Sequence, residues 1–598
     1  MSDETRPIAI GIDLGTTNCT LAFARGKDDT PEPLGVSQVI AAGEVTPRPL
    51  LPSFLYFPAD SEFAAGALAL PWYGGARDVV GTFARKQGAS TPARLVSSAK
   101  SWLSHASVDR RGEILPWGSP DEVPKVSPLQ ASARYLAHLR AAWDEENPES
   151  PLAEQDVVLT VPASFDAVAR ELTMEAAELA GFEEPPRLLE EPQAAMYDWL
   201  AQRGSDWRQD VAVGDHILVI DVGGGTTDFS LIAVREEDGE LQLERIAVGD
   251  HILLGGDNMD LALAHTVRAR LESEGVKLDD WQMRAMTHAC RGAKEALLGD
   301  NPESSYPLAI AGRGSKLIGG TVRTELTLAE LERVILDGFF PVVNADDRTQ
   351  APRRAGLTVI GLPYAADAAM TRHLAAFLGR SASASASEGD ETRPTFVHPT
   401  AILFNGGVTQ SPRIRDRICD VLGSWLEAEG GSRPRILQGS DAELAVSRGA
   451  AYYAQARRHG GLRIRGGTAQ AHYIGIERAE LAVPGIPPRV DAVCVAPFGM
   501  EEGSEVNLDQ AFGLVLGEPV SFRFFGSTSR KDDMVGAVVD PSDLTELSPI
   551  ETTLEGTDGQ VVHVRLHARV TEVGTLELSA VEEGTSQRWK LSFNVRVA

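Results

Sequence analysis

The chain has few cysteines and no pair of them spaced to share a metal or a redox centre. Cys19, Cys290, Cys419 and Cys494 are its four thiols, and none forms a CxxC. That excludes a zinc knuckle and a thioredoxin-type site, and scattered thiols suit a reducing compartment. Cys19 lies beside a glycine-rich turn and reads as a small buried strand residue, with redox sensitivity as the alternative. No apolar run reaches the ~18 residues that a membrane-spanning helix needs. The opening MSDETRPIAI has no basic-then-apolar leader pattern, so the expected location is the cytoplasm. Positive charge is also scarce. Lys plus Arg total 56 against 85 Asp plus Glu, a formal net charge of −29. A nucleic-acid binder needs a basic face, and an anionic membrane surface repels an acidic chain. Neither partner class fits, and most of the charge reads as solubility.

What is present is a long, ordinary globular composition. At 598 residues, 43% hydrophobic and 24% charged, the chain exceeds one core and predicts several units. From residue 7 to about 458, short apolar strands alternate with amphipathic helices, the pattern of α/β layers. DVVLTV at 156–161 is a buried strand; a helix over 165–180 stops at Gly181, a good residue for a helix end. AILF at 401–404 is a strand followed by the turn Asn405-Gly406-Gly407. Ser411 then reads as an N-cap, with Pro412 at the first position of a helix over 413–426. SASASASEG at 381–389 is low-complexity and predicts a surface loop. RRHGGLRIRGGTAQ at 457–470 is a second break. Beyond it, Val562, Val564, Leu566, Ala568 and Val570 alternate with His563, Arg565, His567 and Arg569. Leu591, Phe593, Val595 and Val597 alternate likewise, which signals half-buried antiparallel strands. The expected division is an α/β unit over 1–458, a linker over 459–471 and an all-β unit over 472–598. The all-β unit is expected to end in a strand with no long helical segment after it.

Two stretches look like copies of one device. IAIGIDLGTTNCTLAFA at 8–24 and ILVIDVGGGTTDFSLIAV at 217–234 are each an apolar strand ending in Asp, a Gly- and Thr-rich turn, and a second apolar strand. Neither turn is a Walker loop, which needs a Lys followed by Ser or Thr opening a helix. Backbone N–H groups of Gly15, Thr16, Thr17 and Asn18, and of Gly223, Gly224, Gly225 and Thr226, can still form anion-binding nests. One such turn is weak, because structural hairpins use the same residues. Two matched copies predict a clamp on a phosphate chain. Asp13, Asp221 and Asp228 sit at the hairpins, where they are placed to hold the waters of a magnesium ion.

In this order the motifs resemble the seventy-kilodalton heat-shock (DnaK-type) chaperone family of the actin/sugar-kinase superfamily. GIDLGTTN at 11–18 and DVGGGTTDFSL at 221–231 are similar to its two phosphate motifs. TVPASFDAVARELTMEAAELAGF at 160–182 resembles its lobe-linking segment, and LFNGGVTQSPRIRD at 403–416 its adenosine motif. RLLEEPQAAM at 187–196 is similar to its Asn-Glu-Pro stretch, with Glu190 at the Asn position. The resemblance covers about residues 7–456 well. It implies an α/β fold: a two-lobed actin-like ATPase domain with a duplicated core, followed by an all-β sandwich. It implies ATP/ADP with Mg2+, and K+ as a further candidate ion. It places Lys100 as the catalytic lysine beside the γ-phosphate and Glu191 near the magnesium waters and the attacking water. Asp13, Asp221 and Asp228 fall with the metal. Thr16, Thr17 and Thr226 match hydroxyls at the phosphates. Asp257 matches an acidic ribose-side residue, and Gly406 and Gly407 the glycines under the nucleotide. Pro162 and Arg170 match an interdomain switch, and Arg187 an arginine of the linker and co-chaperone face. Phosphoryl transfer needs positioning and charge stabilisation more than covalent chemistry, and the resemblance implies slow, timer-like hydrolysis.

The resemblance weakens at the base end. In CRGAKEALLG at 290–299, Lys294 is kept, but Arg291 stands at a family Glu, Glu295 at a family Arg and Leu298 at a family Ser. Gln410 replaces another family Arg. Arg291 and Glu295, four apart on one helix face, suit a swapped ion pair that frees Arg291 to stack on the base; the alternative is a helix that has drifted and binds adenine poorly. VTEVGTLELSAVE at 570–582 resembles the closing strands of the peptide-binding β-sandwich. Three functions follow as expectations: an ATP-hydrolysing chaperone that binds unfolded polypeptide, with a J-domain co-chaperone and an exchange factor as partners; a nucleotide-gated regulator or scaffold for one dedicated protein; and a small-molecule kinase of the same superfamily. Lys100 and the motifs at 160–165 and 190–195 oppose the last.

Overall fold

The computed structural model describes residues 7–596, apart from 75–77, 106–107, 238–239, 251, 300, 312–320, 351–361, 363–364, 385–393, 440, 460–463, 467, 469–470, 479–488, 501–502, 528–529, 531, 571–574 and 586. Two sheets of the same plan organise the first three-quarters of the chain. In the first, β1 (Ala9–Leu14) and β2 (Asn18–Ala24) form an antiparallel hairpin, and β3 (Glu32–Pro33) lies outside β2. On the other side of β1 run β4 (Asp156–Val161) and β5 (Arg187–Glu190), both parallel. In the second sheet, β6 (His216–Val222) and β7 (Thr227–Glu237) form the hairpin, with β8 (Glu240–Val248) outside β7. β9 (Ala401–Asn405) and β10 (Arg435–Ile436) run parallel beyond β6. A hairpin with parallel strands on one side and an antiparallel strand on the other thus occurs twice. β1 and β6 are buried almost throughout, as strands covered on both faces must be, and this is why they read as continuous apolar runs.

Helices link and separate the sheets. α1 (Ala99–Leu103) precedes β4, and α2 (Ala167–Leu179) follows it, capped by Asp166 and stopped at Gly181, whose φ is 84°. α3 (Glu191–Arg203) leaves β5 directly. α4 (Gly256–Ser273), α5 (Asp280–Leu297), α6 (Met370–Ala384), α7 (Pro412–Ala428) and α8 (Ala445–His459) complete the set used below. α3 and α8 are sandwiched between the two sheets. One apolar cluster joins Ala9, Val158 and Leu189 of the first sheet, Tyr197 and Trp199 of α3, Ala450 and Ala454 of α8, and Val219, Ile232 and Leu403 of the second sheet. The buried pair Arg448–Asp198, 2.8 Å apart, ties α8 to α3.

Three sequence expectations change. Ser411 does stand at the N-cap of α7, but its side chain makes no capping hydrogen bond. The low-complexity stretch is not all loop. Residues 381–384 continue α6, with the Ser381 hydroxyl returned to the Phe377 carbonyl four residues back; residues 385–389 lie outside the described residues. Part of the expected linker is strand. β11 (Ile464–Gly466) adds in parallel to the edge of β8, its Ile464 N–H donating to the Tyr197 hydroxyl at 2.8 Å. Buried Ile464 gives that short segment its anchor; the rest of the stretch, at 460–463, 467 and 469–470, lies outside the described residues.

From residue 471 the strands form two further sheets. One has the order β16 (Val538–Val539), β13 (Val490–Ala496), β12 (Ala471–Glu477), β15 (Pro519–Ser527), β17 (Thr545–Thr553). The other has the order β14 (Glu505–Leu516), β18 (Gln560–Val570), β19 (Thr575–Glu582), β20 (Arg588–Arg596). Ile474, Val493 and Phe524 of the first sheet pack against Leu566, Ala568, Leu578 and Ala580 of the second. The alternation in β18 is the sandwich pattern: Val562, Val564, Leu566 and Ala568 are buried and their neighbours mostly exposed.

Candidate functional site

The two hairpin turns face each other. A Cβ placed on Gly224 would lie 1.9 Å from the Thr17 hydroxyl, and one on Gly225 would lie 2.8 Å from the Thr16 methyl. Only a residue without a side chain allows the turns of the two lobes to approach this closely. Between them opens a cleft of about 460 Å³. Asp13, Gly15, Thr16, Thr17, Asn18, Lys100, Glu191, Asp221, Gly223, Gly224, Thr226, Asp257, Arg291, Lys294, Glu295, Gly406, Gly407 and Gln410 all line it. Two nominated residues stand behind the wall. Gly225 backs onto Thr16, and Asp228 is buried under Ser164, whose hydroxyl donates to its Oδ1.

Strand pairing aligns the acids. Asp221 lies opposite Asp228 across the β6–β7 hairpin and beside Asn405 of β9. Asn405 Nδ2 donates to Asp221 Oδ2 at 2.6 Å, and the Thr160 hydroxyl donates to Asp13 Oδ1 at 3.2 Å. Lys100 of α1 is buried and forms an ion pair with Glu191 at the start of α3. Burial opposes the Lys100 charge, but the Glu191 and Asp13 carboxylates outweigh it and hold the ammonium above its usual range. Burial, with neighbouring Glu191, pushes Asp13 and Asp228 up to about 7 and Asp221 well above the carboxylate range. The cluster is therefore short of positive charge. Among the described residues, no three ligating groups converge on a single point. The carboxylates of Asp13, Asp221 and Glu191, gathered without a tight cage, fit a hydrated magnesium, which takes few direct protein ligands. Two buried polar atoms of the cleft, Asn405 Oδ1 and Ser411 Oγ, have no hydrogen-bond partner. Such orphans are rare in folded proteins and are consistent with a polar ligand.

The α5 side of the cleft departs from the swapped-pair expectation. Arg291 does not pair with Glu295. Its Nε donates to Asp260 Oδ2 at 2.8 Å and its Nη2 to Asp257 Oδ1, both on α4. Lys294 reaches Asp260 Oδ1 at 2.7 Å and donates to the Gly256 carbonyl at 2.9 Å. The reason is packing: α4 lies against α5, and Asp260 is buried, so it demands the nearest cations. Glu295 is left in the cleft wall beside Leu298, Gln410 and Glu443. Sequence reasoning missed Gly256, Asn405 and Glu443. Asn405 was legible as the residue ending a strand beside a glycine pair, but its place opposite Asp221 needed the parallel pairing of β6 and β9.

Cys19 is fully buried on β2, with its Sγ 3.2 Å from the Ser53 hydroxyl. Burial pushes its thiol up to about 12, which makes it a poor nucleophile and removes the redox alternative. Arg187 pairs with Asp156 at 2.5 Å, and Arg458 of α8 shares that carboxylate at 2.9 Å.

Two lobes built on one repeated hairpin, closed around a cleft of acids with buried Lys100 paired to Glu191, define the two-lobed actin-like ATPase fold. A family model described as Hsp70 protein matches residues 9–344, more than half of the 598 residues, and the chain belongs to that family. It is 31% identical over 367 residues to a chaperone protein HscA homolog of Bordetella petrii, covering 59% of this chain and 50% of that protein. A homolog of Pseudomonas putida is 33% identical over 308 residues, covering 49% of this chain and 42% of its own length. One of Burkholderia pseudomallei is 30% identical over 370 residues, covering 60% and 52%. The chain thus spans about half the length of the relatives it matches.

Proposed function

We propose that this protein is an ATP-hydrolysing molecular chaperone whose C-terminal β unit binds polypeptide according to nucleotide state. The observation that carries the reading is the pair of facing hairpin turns with the Lys100–Glu191 ion pair between them. The backbone N–H groups of both turns bind the phosphate oxygens, and Lys100 neutralises charge that develops on the transferring group. Glu191, held by Lys100, orients a water toward that group. Asp13, Asp221 and Glu191 would hold Mg2+ with its waters, and Asp228 supports them from behind. When bound, that ion supplies charge neutralisation at the phosphates. Asp257, Arg291 and Lys294 form the sugar side, and Glu295, Gly406, Gly407 and Gln410 the base side. The proposed division is an ATPase unit over 1–458, a junction over 459–471 and the β unit over 472–598. Unfolded polypeptide, a J-domain co-chaperone and an exchange factor are the proposed partners, and the cytoplasm the proposed location. Among the described residues, no helix is long and apolar enough to cross a membrane.

The test is nucleotide binding and turnover by the native chain with magnesium. ATP is expected to bind with a Kd below ~10 μM, about 7 kcal/mol or better. Lys100→Ala and Thr226→Ala are each expected to slow turnover by about 100-fold. No calorimetric heat with ATP at an intact fold would end the ATPase reading; equal slow rates in all three proteins would remove the two assignments. A second reading, a nucleotide-gated regulator of one dedicated protein with little hydrolysis, is favoured by the base end, where Arg291 is committed to Asp257 and Asp260. Suppression of aggregation of generic unfolded proteins would support the first reading, and a single stoichiometric partner the second.

A further inference from the structure

Two glutamates stand side by side where β5 runs into α3, Glu190 ending the strand and Glu191 opening the helix, and their carboxylates reach different partners. Glu191 meets Lys100 in the cleft. Glu190 turns away from the cleft and is buried between two arginines. Its Oε1 accepts from Arg170 Nη2 at 3.0 Å, and its Oε2 pairs with Arg245 Nη1. Glu190 sits at the N-cap of α3 yet makes no capping hydrogen bond. Its carboxylate is therefore committed to these long-range partners, not to the local helix end.

The partners come from different parts of the fold. Arg170 lies on α2 of the first lobe, and Arg245 on β8 of the second. Arg170 also donates to the carbonyls of Ala163, at 2.9 Å, and Phe165, at 3.1 Å. Those carbonyls flank Ser164, whose hydroxyl holds Asp228. One buried carboxylate thus connects the second lobe to both acids: to Glu191 through the adjoining peptide, and to Asp228 through Arg170 and the 163–165 turn.

We infer that Glu190 is a positioning residue, which fixes Glu191 and the Ser164–Asp228 contact to the relative placement of the two lobes through Arg245 and Arg170. Charge-assisted hydrogen bonds to guanidinium groups are short and directional, so the strand–helix junction is held in one geometry only while both arginines are in place. The inference rests on the ATPase reading proposed above.

The test compares the native chain with Glu190→Gln, Arg245→Lys and the double variant Glu190→Gln/Arg245→Met, which removes both charges of the interlobe ion pair. Hydrolysis is measured in single turnover with magnesium ATP, nucleotide affinity by calorimetry and folding by thermal melting. Glu190→Gln is expected to lower the hydrolysis rate by about tenfold or more, since small misplacements of reacting groups are costly, while nucleotide affinity stays within about threefold of native. Arg245→Lys, which keeps the charge, is expected to retain most of the native rate. An unchanged rate in folded Glu190→Gln overturns the inference, as does an equal loss of rate and affinity. If Glu190→Gln does not fold, the double variant decides, because it leaves no unpaired Arg245 charge in the core; a native rate there also overturns it. A native chain that binds ATP but turns none over fails the ATPase reading itself, and the inference falls with it.

Discussion

At the scale of single residues, burial sets the chemistry. His472 of β12 is buried, and neither ring nitrogen has a hydrogen-bond partner. Burial lowers its pKa to about 4, so the ring is neutral in the folded chain. An unfolded His titrates near ~6.5. The unfolded state therefore takes up a proton first as pH falls. Stability from the neutral ring is fully present above about 6.5 and is lost progressively as pH falls toward about 4, a total of ~3 kcal/mol. Denaturant unfolding at stepped pH is expected to show this loss in the native chain and not in His472→Val. Cys19 gives a second expectation. With its thiol pushed up by burial, it should stay unlabelled in a thiol titration of the native protein that modifies the less buried Cys419. Labelling of Cys19 at the same rate as Cys419 would contradict the buried assignment. The place of Lys100 in the cleft was legible only through the surrounding motifs, because a lone lysine looks the same in any exposed helix; its contact with Glu191 spans 91 residues.

At the scale of elements, the crossing of α3 and α8 is the most demanding contact. A Cβ on Gly449 would lie 1.7 Å from the Ala194 carbonyl oxygen, so the helices meet backbone to backbone. Both are packed between the two lobes, and neither can shift without moving a sheet. Gly449→Ala is expected to destabilise the chain by ~1–3 kcal/mol, as overpacking does; a midpoint of denaturation equal to native would show that the crossing relaxes freely. Elements were also where sequence reading served best. β4, α2, β9 and α7 all lie within a few residues of their expected spans, because apolar periodicity, Gly181 after a helix and Pro412 at a helix start are local signals. β11 was missed because three residues carry too little periodicity, and its strand state depends on β8 and Tyr197. The N-cap of α7 was placed correctly but without its hydrogen bond, since Ser411 faces the cleft instead.

At the scale of the whole molecule, the cleft joins two lobes while the strands after residue 470 keep a core of their own. A ligand that bridges the lobes should therefore stabilise one part of the chain selectively. With magnesium ADP at 100 times its Kd, the lobes are expected to gain about 2.7 kcal/mol. Calorimetry should show the corresponding transition moving to higher temperature while the β unit melts unchanged. A uniform shift of all transitions would mean that the parts unfold as one. By itself, the sequence determined the α/β alternation, the duplicated hairpins and nearly every hairpin-turn residue that lines the cleft. Those depend on turn chemistry and strand periodicity, which act over a few residues. Only the tertiary structure decided that Arg291 serves Asp257 and Asp260, that 464–466 is a strand, and that Glu190 is clasped by arginines from both lobes. Each of those depends on which distant charge or strand edge folding brings within reach of a buried group, and the desolvation cost of leaving that group alone selects the partner.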